Sequence, residues 1–196
     1  MDWQLYRHVD AFMSAHRTLA QAVNDLETSL VALVAVATFA LWLLAQPGRE
    51  RRWKLASASA LASAGVALLV NQAIAHVWHR PRPYQSHPGV YHLTRSRDPS
   101  FPSDHASAAF AIALAVLLFD RATGLAFLAV AVVIAVGRVA IGAHYPSDVA
   151  AGLAVGAASA LLVASLGRPL IELLVRFTER VTDPVLARFR RVVAGH

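Results

Sequence analysis

The chain has 196 residues, 57% of them hydrophobic and only 15% charged, which excludes an ordinary soluble domain. It has no cysteine, so disulfides and thiolate metal sites are excluded. The net charge of +6 rests on 17 arginines and one lysine, and the long uncharged runs assign that excess to lipid and membrane topology, not to nucleic acid.

In chain order, residues 1–25 are polar and carry no recognisable leader peptide. They predict an interfacial helix, with a sixth span as the alternative. Residues 28–46 hold no charge and are long enough to cross a bilayer, with Pro47-Gly48 as the stop. Residues 53–76 predict a second span, rich in small residues and ending in Asn71, Gln72 and His76. Residues 77–102 are polar and proline-rich, and predict a loop. A short third span is expected over 103–119, opened by Ser103, and a fourth over 122–141, with Arg138 near its end. The fifth is expected over 146–166, with Pro146 at a favourable first-turn position. Gly152 and Gly156 have the spacing of a close helix contact. From 167 onward apolar residues alternate with arginine, the pattern of an interfacial amphipathic helix or two. The fold class is therefore all-α: one polytopic membrane bundle of five to six transmembrane helices with interfacial terminal helices.

Charge gives the orientation. Arg49, Arg51, Arg52, Lys54, Arg121 and the arginines of the tail fall on one side of such a bundle. That side is expected to be cytoplasmic, which places the C-terminus inside and the loops at 77–102 and 142–146 outside.

Three segments emerge together on the outer side. In Pro102-Ser103-Asp104-His105, Ser103 is a good N-cap. A helix start is an anion site, and His105 in its first turn can give a proton to a departing oxygen. Alone, this is equally a capped helix with an incidental histidine. From Arg138 to Asp148, His144 precedes Tyr145-Pro146, and Asp148 falls in the next helix's first turn. There its carboxylate can accept the Nδ1 proton of His144 and leave Nε2 as a lone pair. Arg138 is a charge inside an apolar helix, where functional use is the default expectation. In Arg80-Pro81-Arg82-Pro83, prolines stiffen the chain and hold two guanidinium groups, which bind phosphate through a planar fork.

These segments resemble the type 2 phosphatidic acid phosphatase superfamily of membrane lipid phosphatases. Its motifs are Lys-x6-Arg-Pro, Pro-Ser-Gly-His and Ser-Arg-x5-His-x3-Asp. The chain reads Ala75-x6-Arg82-Pro83, Pro102-Ser103-Asp104-His105 and Gly137-Arg138-x5-His144-x3-Asp148. It departs from the pattern at Ala75, Asp104 and Gly137, and Arg80, His76 and His79 are the nearest stand-ins for the missing lysine. The stretch Asn71-Gln72-Ala73-Ile74, with His76, Trp78 and the Arg-Pro repeat, is similar to the bacitracin-resistance type of undecaprenyl-diphosphatase.

The resemblance implies a bacterial cell-membrane enzyme with its site on the extracytoplasmic face. Its substrate would be undecaprenyl diphosphate or another lipid phosphate, and it would use no cofactor and no metal. His144 would be the nucleophile, Asp148 its orienting group and His105 the proton donor. Arg82, Arg138, Ser103, Arg80 and Asp104 would bind or tune the phosphate. Asp104 is expected to pair with a neighbouring Arg or His. His87 and His92 are expected to be solvated, and Tyr84 to sit in an interfacial aromatic belt. Phosphatidate, phosphatidylglycerophosphate and other prenyl phosphates remain open as substrates. So does phosphotransfer to an acceptor other than water, and so does a non-enzymatic transporter. The oligomeric state is not specified.

Overall fold

The protein is described by a computed structural model covering residues 2–45 and 51–193, with side chains as far as Arg188. The expected stop at Pro47-Gly48, Arg49, and the side chains of Arg190 and Arg191 lie outside the described residues. Among the described residues every regular element is helical. They are α1 (Asp2–Ala15), α2 (Arg17–Leu44), α3 (Arg51–Val77), the short α4 (Pro83–Ser86), α5 (Asp104–Leu117), α6 (Arg121–Ala140) and α7 (Pro146–Leu162). A π-helical turn (Val163–Gly167) leads into α8 (Arg168–Val193).

Four helices are long and apolar enough to cross a membrane: α2, α3, α6 and the continuous helix from Pro146 to Arg188. The fifth apolar helix, α5, has 14 residues and spans about 21 Å. It is the hub of the bundle, packing against α3, α6 and α7. Its contact with α7 is backbone to backbone. A Cβ at Gly156 would lie 2.7 Å from the Ser107 carbonyl oxygen, and one at Gly152 would lie 2.8 Å from Ala106 Cβ. The small-residue spacing therefore serves this helix pair within one chain.

Local chemistry fixes the ends that carry the site. Ser103 caps α5 by accepting from the Ala106 amide. Pro146 occupies the first turn of α7, and the Asp148 carboxylate accepts from the Tyr145 amide at 2.8 Å. Between α6 and α7 the chain turns at Gly142, whose φ is +81°. A Cβ there would lie 2.5 Å from the Tyr91 carbonyl oxygen, so only glycine lets the 87–100 loop lie against this turn. The ends of α3 and α6 and the starts of α5 and α7 thus meet at one end of the bundle.

The terminal helices close the molecule at opposite ends. α1 lies over the outer loops. Trp3 stacks on His87 with centroids 3.5 Å apart, Tyr6 packs edge-on to Tyr145, and Asp10 accepts from the Tyr91 amide. At the far end, fully buried Lys54 of α3 bonds Asp183 at 2.5 Å and faces Glu179 at 3.5 Å, which ties α8 back onto the bundle. Arg52 pairs with Asp120 nearby, so basic residues cluster at the end opposite the site. The helices begin and end differently from the sequence expectation in two places. α2 starts at Arg17, well before residue 28, and the tail continues from α7 without a break. Helix propensity of 17–27 explains the first, and in the second the π-turn at Val163–Gly167 carries the helix into α8, with Pro169 in that helix's first turn.

Candidate active site

A polar cavity of about 320 Å³ opens where the four helix ends meet. Arg82, Asp98, Asp104, His105, Arg138 and His144 line it. A second, apolar cleft of about 310 Å³ lies between α2, α3, α5 and α6. Asp104 and His105 line both, so a polar cup and an apolar channel share one wall.

His144 is 2% exposed and held on both ring nitrogens. Nδ1 lies 2.8 Å from the Ser100 carbonyl oxygen. A carbonyl only accepts, so Nδ1 carries the proton and Nε2 keeps its lone pair. Arg82 Nη1 is 3.3 Å from Nε2. The expected bond from Nδ1 to Asp148 is not what the structure has, because Asp148 Oδ2 is 3.8 Å away. That oxygen instead accepts from Ser100 Oγ at 2.6 Å and from the Tyr145 amide. The carboxylate acts on the imidazole through residue 100, one step removed.

Arg80 is also placed differently from expectation. Its Nη1 binds Asp148 Oδ1 at 2.6 Å and Ser147 Oγ at 2.7 Å, and its Nη2 binds Asp2 at 2.5 Å. The guanidinium lies 4.3 Å over the Tyr145 ring. With two carboxylates on it, Arg80 is a strut beneath the site and not a lining cation. Arg82 is 6% exposed, anchored by Nε on the Asp98 carbonyl and by Nη1 on the Ala143 carbonyl, and it reaches the cup. Ser103 is fully buried and spends its hydroxyl on the α5 cap, so it does not line the cup. Asp104 pairs with Asn71 at 2.7 Å, not with an arginine or histidine.

Several loop side chains also differ from expectation. His87 and His92 are stacked on Trp3 and Tyr84, and are not simply solvated. The Tyr84 hydroxyl is bonded to both the amide and the carbonyl of Ser96, which pins the loop in place of a lipid belt. Among the described residues no other cation replaces the missing lysine in the lining. No group of three or more His, Asp or Glu among them could hold a metal ion.

Sequence reasoning overlooked Glu27, Ser100 and Asp2, and singled out Asn71 without giving it a role. Glu27 did carry a signal, an acid at the edge of an apolar run in a chain with a buried arginine. Ser100 acts partly through its backbone, which no side-chain motif reveals.

Burial pushes the His144 pKa below its ordinary 6.5, with Arg82 and Arg138 adding to the effect and Asp148 opposing it. The imidazole therefore stays neutral into mildly acidic solution. The acidic limb of kcat/KM is expected below pH 6.5, read from phosphate release across about pH 4–8. A limb at or above 6.5 would contradict the burial argument. A lowered folded-state value means the unfolded chain binds the proton first. The His144 contribution to stability is thus complete above 6.5 and is lost as the pH falls from there towards the folded-state value.

An all-helical membrane bundle with two histidines and two arginines around one cup, opening onto an apolar cleft, defines a membrane lipid phosphatase. The profile of the PAP2 superfamily matches residues 56–171, and the chain belongs to that family. It is 26% identical to undecaprenyl-diphosphatase BcrC of Bacillus subtilis, over 93% of this chain and 94% of that protein. It is 39% identical to decaprenylphosphoryl-5-phosphoribose phosphatase of Mycobacterium tuberculosis, over 65% of this chain and 68% of that one. The solved structure of Aquifex aeolicus LpxE shares the fold, with a TM-score of 0.67 at 19% identity, covering 82% of this chain and 92% of that one.

Proposed function

We propose that the chain removes the terminal phosphate of undecaprenyl diphosphate through a phosphohistidine on His144. The observation that carries this reading is the wall shared by cup and cleft at Asp104 and His105. It matches an amphiphile whose phosphate sits among Arg82, Arg138, His105 and His144 while its hydrocarbon lies against α2 and α5. Two relatives named for polyprenyl-linked phosphates support the same class.

In the reaction, His144 Nε2 attacks the terminal phosphorus and the bridging P–O bond breaks. Lipid monophosphate departs with a proton from His105. Water then attacks the phosphohistidine, His105 takes the water's proton, and orthophosphate leaves with His144 restored. Arg82 and Arg138 neutralise charge that spreads over the equatorial oxygens. Asp148 holds the loop that orients His144, and Arg80 holds Asp148. No step uses a metal. One domain spans the whole chain. The excess of arginine at the far end of the bundle supports a cytoplasmic C-terminus and an outward-facing cup.

A second reading, a phosphatase of a polyprenyl phosphate ester other than the diphosphate, draws on the 39% identical relative. Purified protein is given undecaprenyl diphosphate, a polyprenyl monophosphate and phosphatidate in parallel, with chelator present. Preferred release of phosphate from the diphosphate is expected. Preference for the monophosphate favours the second reading, and preference for phosphatidate contradicts both.

A further inference from the structure

A buried ion pair stands behind the cup, and no step above uses its acid. Glu27 on α2 is 3% exposed, and its Oε2 lies 3.5 Å from Arg138 Nη1. Glu27 Oε1 and Arg138 Nε have no hydrogen-bond partner. The contact is longer than the roughly 2.7–2.9 Å of a charge-assisted hydrogen bond. It is therefore a Coulombic tether that engages one of the five guanidinium donors and leaves others for a ligand. A carboxylate in an apolar helix is costly, and removing it would strand the arginine without a counter-charge.

Two further observations tie this acid to the site. A Cβ at Gly137 would meet both Cβ and Cγ of Glu27 at 3.1 Å. Position 137 is where the third motif carries serine, and here the stem of Glu27 occupies the room that a side chain would take. Glu27 also shares a helix face with Val31 and Val34, one and two turns further on, which line the apolar cleft. Arg138 lines the cup and Glu27 does not, so the acid reaches the arginine from behind.

We infer that Glu27, with its stem seated in the space left by Gly137, is the positioning residue that holds the Arg138 guanidinium towards the phosphate cup. The inference rests on the reading of Arg138 as a phosphate ligand. It adds α2 to the machinery: one face of that helix supplies both the arginine's counter-ion and a wall of the lipid cleft.

The test is a double-mutant cycle on the full-length protein in detergent. Glu27→Gln keeps the size and removes the charge. It is expected to lower kcat/KM about ten- to hundredfold, the scale of a misplaced binding group, and to lower the melting temperature as well, because the buried guanidinium loses its counter-charge. In an Arg138→Ala background the same substitution is expected to do nothing further. Gly137→Ala, which presses on the Glu27 stem, is expected to give a smaller loss that likewise vanishes without Arg138. A second arm reads inorganic phosphate binding without turnover. Glu27→Gln should weaken it about tenfold, and only where Arg138 is present. Failure of every lipid substrate while this binding cycle holds would sink the substrate reading and leave the inference standing. An equal effect of Glu27→Gln with and without Arg138, or full activity and phosphate affinity in Glu27→Gln, overturns the inference. So does an Arg138→Ala protein that binds phosphate as wild type does.

Discussion

His144→Ala is expected to lower lipid phosphate release by about 10⁴-fold or more, the scale on which enzymes lose activity with their nucleophile. The ring is unusually committed for a side chain at a loop: it is buried, its proton is fixed on Nδ1 by the Ser100 carbonyl, and Arg82 faces its lone pair. Among the described residues the other nucleophile types that line the cup are less committed: Thr94, Ser96 and Asp98 stand on the loop, Asp104 is bonded to Asn71, and His105 lies in the first turn of α5. Alanine also leaves a cavity, so the melting temperature is read alongside. A variant that folds, binds lipid and releases phosphate within tenfold of wild type would remove His144 from the reaction.

Asp148→Asn is expected to injure stability first and rate second. The carboxylate is fully buried, with Arg80 on Oδ1 and with Ser100 Oγ and the Tyr145 amide on Oδ2. An amide offers one oxygen to these donors and points an NH2 at the rest. Arg80 also loses one of its two charged partners, Asp2 and Asp148. Breaking a buried ion pair from one side costs about 3–5 kcal/mol, which thermal unfolding in detergent would show. The loss in rate should be near 10²-fold, as for a misplaced group, because the tautomer of His144 is set by a carbonyl that the substitution leaves in place. If Asp148 instead set the tautomer directly, the rate would fall about 10⁴-fold with an unchanged melting temperature.

The contrast between these two variants marks what residue patterns can and cannot convey. Spacing placed Arg82, His105, Arg138 and His144 on segments that emerge together, and the structure gathers all four around one cup. Apolar runs located the four helices long and apolar enough to span, and marked as a span the shorter α5, because length and hydropathy are local properties. The pairings were not local. Arg80 looked like a phosphate ligand because its neighbours in sequence are, yet Asp2 of α1 and Asp148 of α7 claim it across the fold. Asp104 turned to an amide on α3. The N-terminal stretch predicts an interfacial helix or a sixth span, and neither pattern shows that Asp2, Trp3, Tyr6 and Asp10 bind it over the outer loops through contacts to residues about 80 to 145 positions away. Motif reading finds the groups that face a ligand. The groups that hold them, such as Ser100 and Glu27, answer to packing and carry only a weak trace in the sequence.

Trapping the covalent intermediate decides whether His144 is the nucleophile. Protein is mixed with lipid diphosphate carrying labelled terminal phosphate, quenched in alkali within the first turnover, and mapped by mass spectrometry. An alkali-stable, acid-labile phosphoryl group is expected on His144 and is expected to be absent from His144→Ala. Label on another side chain, or steady turnover with residue 144 never phosphorylated, would contradict it.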